Sequence, residues 1–207
     1  KLAPDSDVIL MDLAKVYENV GREEDAIRMY KKILEKDPGN LMVRDRLGQI
    51  YISQKKLDKA LEELEALGKI SGSDAIQVHL KIGLIYMEQG RYAKAIQEFL
   101  LVLTAFPQEQ RVRYFLGTAY AENGEPKAAR SAFEKILPTA DIYTEARVYL
   151  AFLYEEEGDM DQAVSVIREA LDHQPDNEKF WGFLGTLYER QEDYNEAIAC
   201  IRRAIDR

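Results

Sequence analysis

Few side chains in this 207-residue sequence have the chemistry of a catalyst or of a metal ligand. There are two histidines, His79 and His173, 94 positions apart, and one cysteine, Cys200. A cysteine nucleophile needs a base beside it and a metal needs clustered donors, and neither spacing is met. Asp and Glu number 37, but acid–base work needs carboxylates paired and desolvated in an enclosed pocket, which no spacing here announces. No glycine-rich phosphate loop follows a strand. One cysteine forms no intrachain disulfide. The sequence is read as that of a non-enzyme with no catalytic residues, no cofactor and no metal.

Charge and hydropathy exclude further classes. Against 28 basic residues the acidic ones leave a net charge of −9, the wrong sign for holding a phosphate backbone, so no nucleic acid is expected. The longest apolar stretch, Phe99 to Leu103, is far too short for membrane insertion. Scarcity of cysteine fits a reducing cytoplasm. What remains is aromatic chemistry: twenty Phe, Trp and Tyr side chains, which serve cores and binding faces alike.

Their positions reveal the elements that hold them. Tyr17, Tyr51, Tyr86, Tyr120, Tyr154 and Tyr188 follow one another in steps of 34, 35, 34, 34 and 34. Four residues before each stands Leu13, Leu47, Ile82, Leu116, Leu150 or Leu184, and three before it Ala14, Gly48, Gly83, Gly117, Ala151 or Gly185. Nine after it comes Ala26, Ala60, Ala95, Ala129, Ala163 or Ala197; thirteen after it Tyr30, Leu64, Phe99, Phe133, Ile167 or Ile201. Offsets −7, −4, −3 and 0 form one helical stripe and +9, +13 and +16 a second, so each unit is two amphipathic helices. His79 falls on the first stripe, where a buried imidazole is expected to be structural, and His173 at a helix end, beside the last carbonyls.

The breakers agree with the stripes. Gly21, Gly90, Gly124 and Gly158 stand four after the tyrosine, where the first helix must stop and the chain take positive φ. Lys55 and Glu192 replace that glycine in units two and six, so those turns need another geometry or carry strain. Pro38, Pro107 and Pro175 close the second helices. Unit two instead ends in Gly68 to Ser73 with one extra residue, and unit four places Pro138 three residues early. Both junctions are expected to be loosened or re-angled.

The sequence resembles the tetratricopeptide repeat family, whose pattern W-x2-L-G-x2-Y, A-x3-F, P is met most fully by Trp181, Leu184, Gly185, Tyr188 and Ala197. The resemblance implies an all-α, right-handed α-solenoid, a superhelix of antiparallel helix pairs whose first helices line a concave groove. It sets residues 1–6 as the tail of a preceding repeat, then repeats at 7–40, 41–75 with its insertion, 76–109, 110–143, 144–177 and a truncated 178–207, in a single continuous solenoid domain. Neither end shows a polar capping helix, which suggests a piece of a longer array. The asparagines by which some members clamp a chaperone tail's carboxylate are absent.

The face opposite the core stripe should be polar if it meets only water. In units three to six it carries Leu80, Leu84, Met87, Tyr114, Phe115, Val148, Tyr149, Phe152 and Phe183. Two readings are open. These side chains fill gaps between neighbouring first helices, or they form an apolar patch that accepts a ligand. Gly182, on the same face, either opens room for a ligand backbone or relieves local packing. Arg46, Lys81, Arg111 and Lys179 lie toward the start or middle of their helices and Glu18, Glu88, Glu122, Glu155, Glu156 and Glu189 toward the end.

The expected function is a protein-interaction scaffold binding an extended or helical partner segment through repeats three to six. Its binding residues would be Leu80, Lys81, Leu84, Arg111, Tyr114, Phe115, Tyr149, Phe152, Lys179 and Phe183, and its partner a protein or peptide with apolar side chains. The alternatives are a scaffold that self-assembles as a homo-oligomer through its truncated ends, and the substrate-recruiting arm of a larger enzyme.

Overall fold

The computed structural model describes residues 6–70 and 75–205. These form α-helices joined by short turns, with no strand among the described residues: α1 (Asp7–Asn19), α2 (Glu23–Lys36), α3 (Leu41–Ser53), α4 (Leu57–Ile70), α5 (Ala75–Glu88), α6 (Tyr92–Ala105), α7 (Gln110–Glu122), α8 (Pro126–Glu134), α9 (Tyr143–Glu156), α10 (Met160–His173), α11 (Glu178–Arg190) and α12 (Tyr194–Ile205). The fold is all-α and of the α-solenoid class, helices α1 to α5 packing in sequence order on one another and α6 to α12 likewise. Tertiary contacts gather it into two compact units, 1–91 and 92–207. Among the described residues no helix is long and apolar enough to cross a membrane.

Each first helix ends the same way. The amide four residues after the repeat tyrosine and the next one fold back on the last turn, as in Gly21 N–H to Glu18 O (3.0 Å) and Arg22 N–H to Tyr17 O (2.8 Å). That motif needs a left-handed residue, and Gly21, Gly90, Gly124 and Gly158 supply it with φ of 69–80°. Lys55 and Glu192 adopt it too, at φ of 57° and 62°. Of the two outcomes left open by the sequence, these turns therefore keep the geometry and carry the strain, roughly 1–2 kcal/mol for a residue with a Cβ.

In the first unit, the alanines Ala14, Ala26 and Ala60 are fully buried, and Tyr30 and Leu64 plug the space beside them. Arg44 reaches across from α3 to Glu63 of α4 (2.7 Å). Asn40 caps α3 by accepting from Val43 N–H. Leu13, expected on the core stripe, is instead 38% exposed, because no helix packs on that side of α1 among the described residues. The helix α4 runs on through Gly68 to Ile70; residues 71–74, the remainder of the expected loosened junction, lie outside the described residues.

The second unit follows the same plan with one interruption. Phe99, Phe133 and Ile167 are fully buried plugs, and Ala129, Ala151 and Ala163 have no exposure. Ile201, the equivalent plug of α12, is 40% exposed, since nothing described packs beyond α12. The early Pro138 coincides with a short α8 of nine residues, and turns carry the chain from Lys135 to Ile142. Tyr143 fills the space this creates, fully buried and edge-on to Phe180 at 6.2 Å.

Candidate functional site

Six aromatic side chains of the second unit, Phe99, Tyr114, Phe115, Phe133, Tyr149 and Phe152, form one connected array. Its anchors are Phe99 and Phe133, delivered to the interior by α6 and α8. Phe133 can enter because position 117 is glycine: a Cβ there would lie 2.7 Å from the ring. From these anchors the contacts run outward. Phe115 stacks on Phe99 at 5.9 Å, Tyr114 meets Phe115 at 6.1 Å and Phe133 at 5.6 Å, Tyr149 stacks on Phe133 at 5.0 Å, and Phe152 meets Tyr149 edge-on at 6.1 Å. All five separations lie in the range favoured for aromatic pairs.

Exposure divides this array. Tyr114, Phe115, Tyr149 and Phe183 are half-buried, whereas Phe152 is 41% exposed. The first three therefore brace the interior and show one edge outward, and Phe183 likewise packs beside the core of α9 to α12. Burial raises the phenol pKa values of Tyr114 and Tyr149, helped by Glu145 and Glu122 respectively. Tyr149 donates from its hydroxyl to Glu122 at 3.4 Å. In the first unit, Leu80 is half-buried and Leu84 is 37% exposed on α5.

The three basic residues among the expected binding residues are each held in an ion pair. Lys81 of α5 binds Asp45 of α3 at 2.7 Å. In the second unit Arg111 binds Asp141 at 2.8 Å through Nε, and Lys179 of α11 binds Glu145 of α9 at 3.0 Å. The Arg111 guanidinium holds the Asp141 carboxyl below its usual range. A fourth pair, Arg190 with Glu155, joins the far ends of α11 and α9. These bases therefore tie one repeat to its neighbour before they meet any ligand.

The other candidates resolve into packing. His79 is half-buried and engaged, and His173 is exposed with its ring edge-on to Tyr143 at 6.4 Å. Cys200 is buried, its thiol pKa raised chiefly by desolvation, and it lines a cleft of about 340 Å³ with Trp181, Tyr188, Arg168 and Arg203. No imidazole lines that cleft, and the Glu196 carboxylate raises the thiol pKa further, away from the reactive thiolate. A Cβ at Gly182 would meet nothing within 4 Å.

One recurring feature escaped the sequence reading. At offset −7 stands a donor that reaches back six residues to a proline carbonyl: Arg44 Nε to Pro38 (2.9 Å), Arg113 to Pro107, and Trp181 Nε1 to Pro175 (2.7 Å). The signal was visible as a proline followed six positions later by Arg or Trp. Arg147, the same position in unit five, has no proline there, because Pro138 comes early. Its guanidinium lies over the Tyr143 ring at 5.0 Å, 8% exposed, with Nε lacking a partner.

Comparisons with known proteins follow this geometry. One tetratricopeptide repeat model matches residues 20–82 and 154–207, and a second matches 79–147. RNA polymerase-associated protein CTR9 of Saccharomyces cerevisiae is 37% identical over 86 residues, 41% of this chain, which spans only 8% of that protein. Among solved structures, a tetratricopeptide repeat protein from Parabacteroides merdae superposes with a TM-score of 0.69 at 23% identity, over 97% of this chain and 79% of that one. YrrB, described as having an unusual peptide-binding site, gives 0.61 at 22% identity over 86% and 91%. Likeness at such identity speaks to the fold. The repeat models, spanning most of the sequence, speak to ancestry: the chain belongs to the tetratricopeptide repeat family.

Proposed function

We propose that the chain binds a segment of a partner protein on the apolar face of its first helices, with Phe152 as the exposed anchor. Tetratricopeptide repeats generally act as protein-interaction scaffolds, without catalysis of their own. The observation that carries the finer reading is the braced aromatic array. Phe115, Tyr114 and Tyr149 are fixed from behind by Phe99 and Phe133, leaving Phe152 proud of a rigid surface. A preordered apolar surface binds without an ordering cost, which favours affinity. Phe183 extends this face on α11, and Leu80 and Leu84 are its counterparts in the first unit.

Selection of a random peptide library on the intact protein tests this. Peptides carrying large apolar side chains should be enriched, and Phe152→Ser should no longer retain them. Because Tyr114 and Tyr149 also support Phe133, changing them would confuse binding with stability, and the exposed ring is the clean probe. Equal retention by the Phe152→Ser protein would count against the reading.

Self-assembly is the second reading, favoured by exposed apolar residues on α1, in the turn that follows it and on α12. Val8, Val16 and Val20 are 65%, 55% and 63% exposed, and Ile198 and Ile205 are 51% and 72%. Light scattering over a range of protein concentrations checks it: a mass that stays at 23.8 kDa throughout excludes it, and a mass that climbs supports it.

A further inference from the structure

The charges around the apolar face specify the kind of segment it accepts. On the outward positions of α7 and α11 stand three basic residues, Arg111, Lys179 and Arg190, and each is already paired, with Asp141, Glu145 or Glu155. The same face carries three further glutamates, Glu122, Glu156 and Glu189, and none of these forms an ion pair among the described residues. The basic charge of the face is thus spent internally, and an acidic excess is left over.

The leftover glutamates also sit where helix stability does not ask for them. Each lies in the last turn of its helix, or next to it, where the macrodipole already concentrates negative potential. Two of them flank the aromatic array directly. Glu122 accepts from the Tyr149 hydroxyl, and Glu156 lies one helical turn beyond Phe152 on α9, so both share a face with that ring. Apolar anchor and negative edge are therefore adjacent, and no cation pairs with Glu122 or Glu156 among the described residues.

We infer that the segment bound here is apolar and basic: a large apolar side chain seated on Phe152 and Tyr149, with Lys or Arg close by in the partner answering Glu122 and Glu156. This rests on the proposed binding face and deepens it by naming the partner's chemistry. Complementary charge at the rim steers encounter and rejects acidic segments more than it adds affinity.

The library selection separates this inference from the reading beneath it. The enriched peptides should combine large apolar residues with Lys or Arg and bind more weakly as salt is raised. The isosteric triple variant Glu122→Gln, Glu156→Gln, Glu189→Gln should lose about three- to tenfold in affinity for such a peptide, the size of a few exposed charge contacts. Its circular dichroism should match that of the unmodified protein. Enriched peptides that are apolar but neutral or acidic, or a triple variant that binds as before, would overturn the basic-segment inference while leaving the binding face standing. Failure to enrich apolar peptides at all, or retention undiminished by Phe152→Ser, would overturn both.

Discussion

Replacing glycines on the first helices by alanine should have opposite effects at two sites, and the structure says why. An alanine in a helix is favoured over glycine by about 1 kcal/mol through backbone entropy. At Gly182 the new methyl group meets nothing within 4 Å, so Gly182→Ala should gain roughly that amount. At Gly117 the methyl group would lie 2.7, 2.8 and 3.0 Å from three carbons of the Phe133 ring. That ring has no exposure and is boxed by Tyr114 and Tyr149, so it cannot give without moving the aromatic array. Overpacking of this kind costs about 1–3 kcal/mol, which offsets or exceeds the helix gain. The two variants should therefore differ by about 1–3 kcal/mol, with the shared propensity cancelling. Gly48→Ala should fall between them, since it meets only the Leu64 side chain at 3.1 Å. Urea unfolding followed by far-ultraviolet circular dichroism measures all three. A Gly117→Ala protein as stable as Gly182→Ala would refute the packing argument, and with it the claim that Phe133 is held tightly enough to brace the binding face.

Glu192→Gly should stabilise the protein by about 0.5–1 kcal/mol in urea unfolding, because it removes left-handed strain at φ 62° and gives back part as unfolded-chain entropy. Tyr143→Phe should leave stability unchanged or raise it by up to about 1 kcal/mol, since the buried Tyr143 hydroxyl meets no partner in hydrogen-bond geometry among the described residues; a loss above about 1 kcal/mol would show that the nearby Arg147 guanidinium serves as one. Burial raises the phenol pKa values of Tyr114, Tyr143, Tyr149 and Tyr188. The folded state then keeps protons that the unfolded state releases, so this stabilisation is complete below about pH 10 and is lost as pH rises through the raised values. A urea midpoint that held steady or increased above about pH 10 would contradict it.

The helical repeat was legible because its signals are local and redundant. Each unit states the tyrosine, the small residue three before it and the alanine nine after it, and a single stripe on each helix is all that the pairing needs. Lys55 and Glu192 were ambiguous because a sequence does not say whether a missing glycine changes the turn or strains it. Here the back-folded hydrogen bonds of the turn hold both residues left-handed. The aromatic surplus was also visible, but not its division into braces and anchor. That division depends on where Phe99 and Phe133 reach from the neighbouring helices. The charges were misleading in isolation. Lys81, Arg111 and Lys179 look free along their own helices, and only packing one repeat against the next supplies Asp45, Asp141 and Glu145. The reach of Arg44, Arg113 and Trp181 to proline carbonyls was written in the sequence and passed unnoticed, because offset −7 was read as plain core.

The central claim is that Phe152 is the anchor of a binding face, and its direct test is the affinity of one library-selected peptide for the unmodified protein and for Phe152→Ala. Phe152 is 41% exposed. For an aromatic residue of roughly 200 Å², that leaves about 80 Å² for a partner to cover. At about 25 cal/mol per Å² this area is worth about 2 kcal/mol, or about thirtyfold in Kd. Fluorescence anisotropy should show a loss of that order with the thermal unfolding of the variant unchanged, whereas a Kd altered by less than about twofold would place the binding surface elsewhere on the molecule.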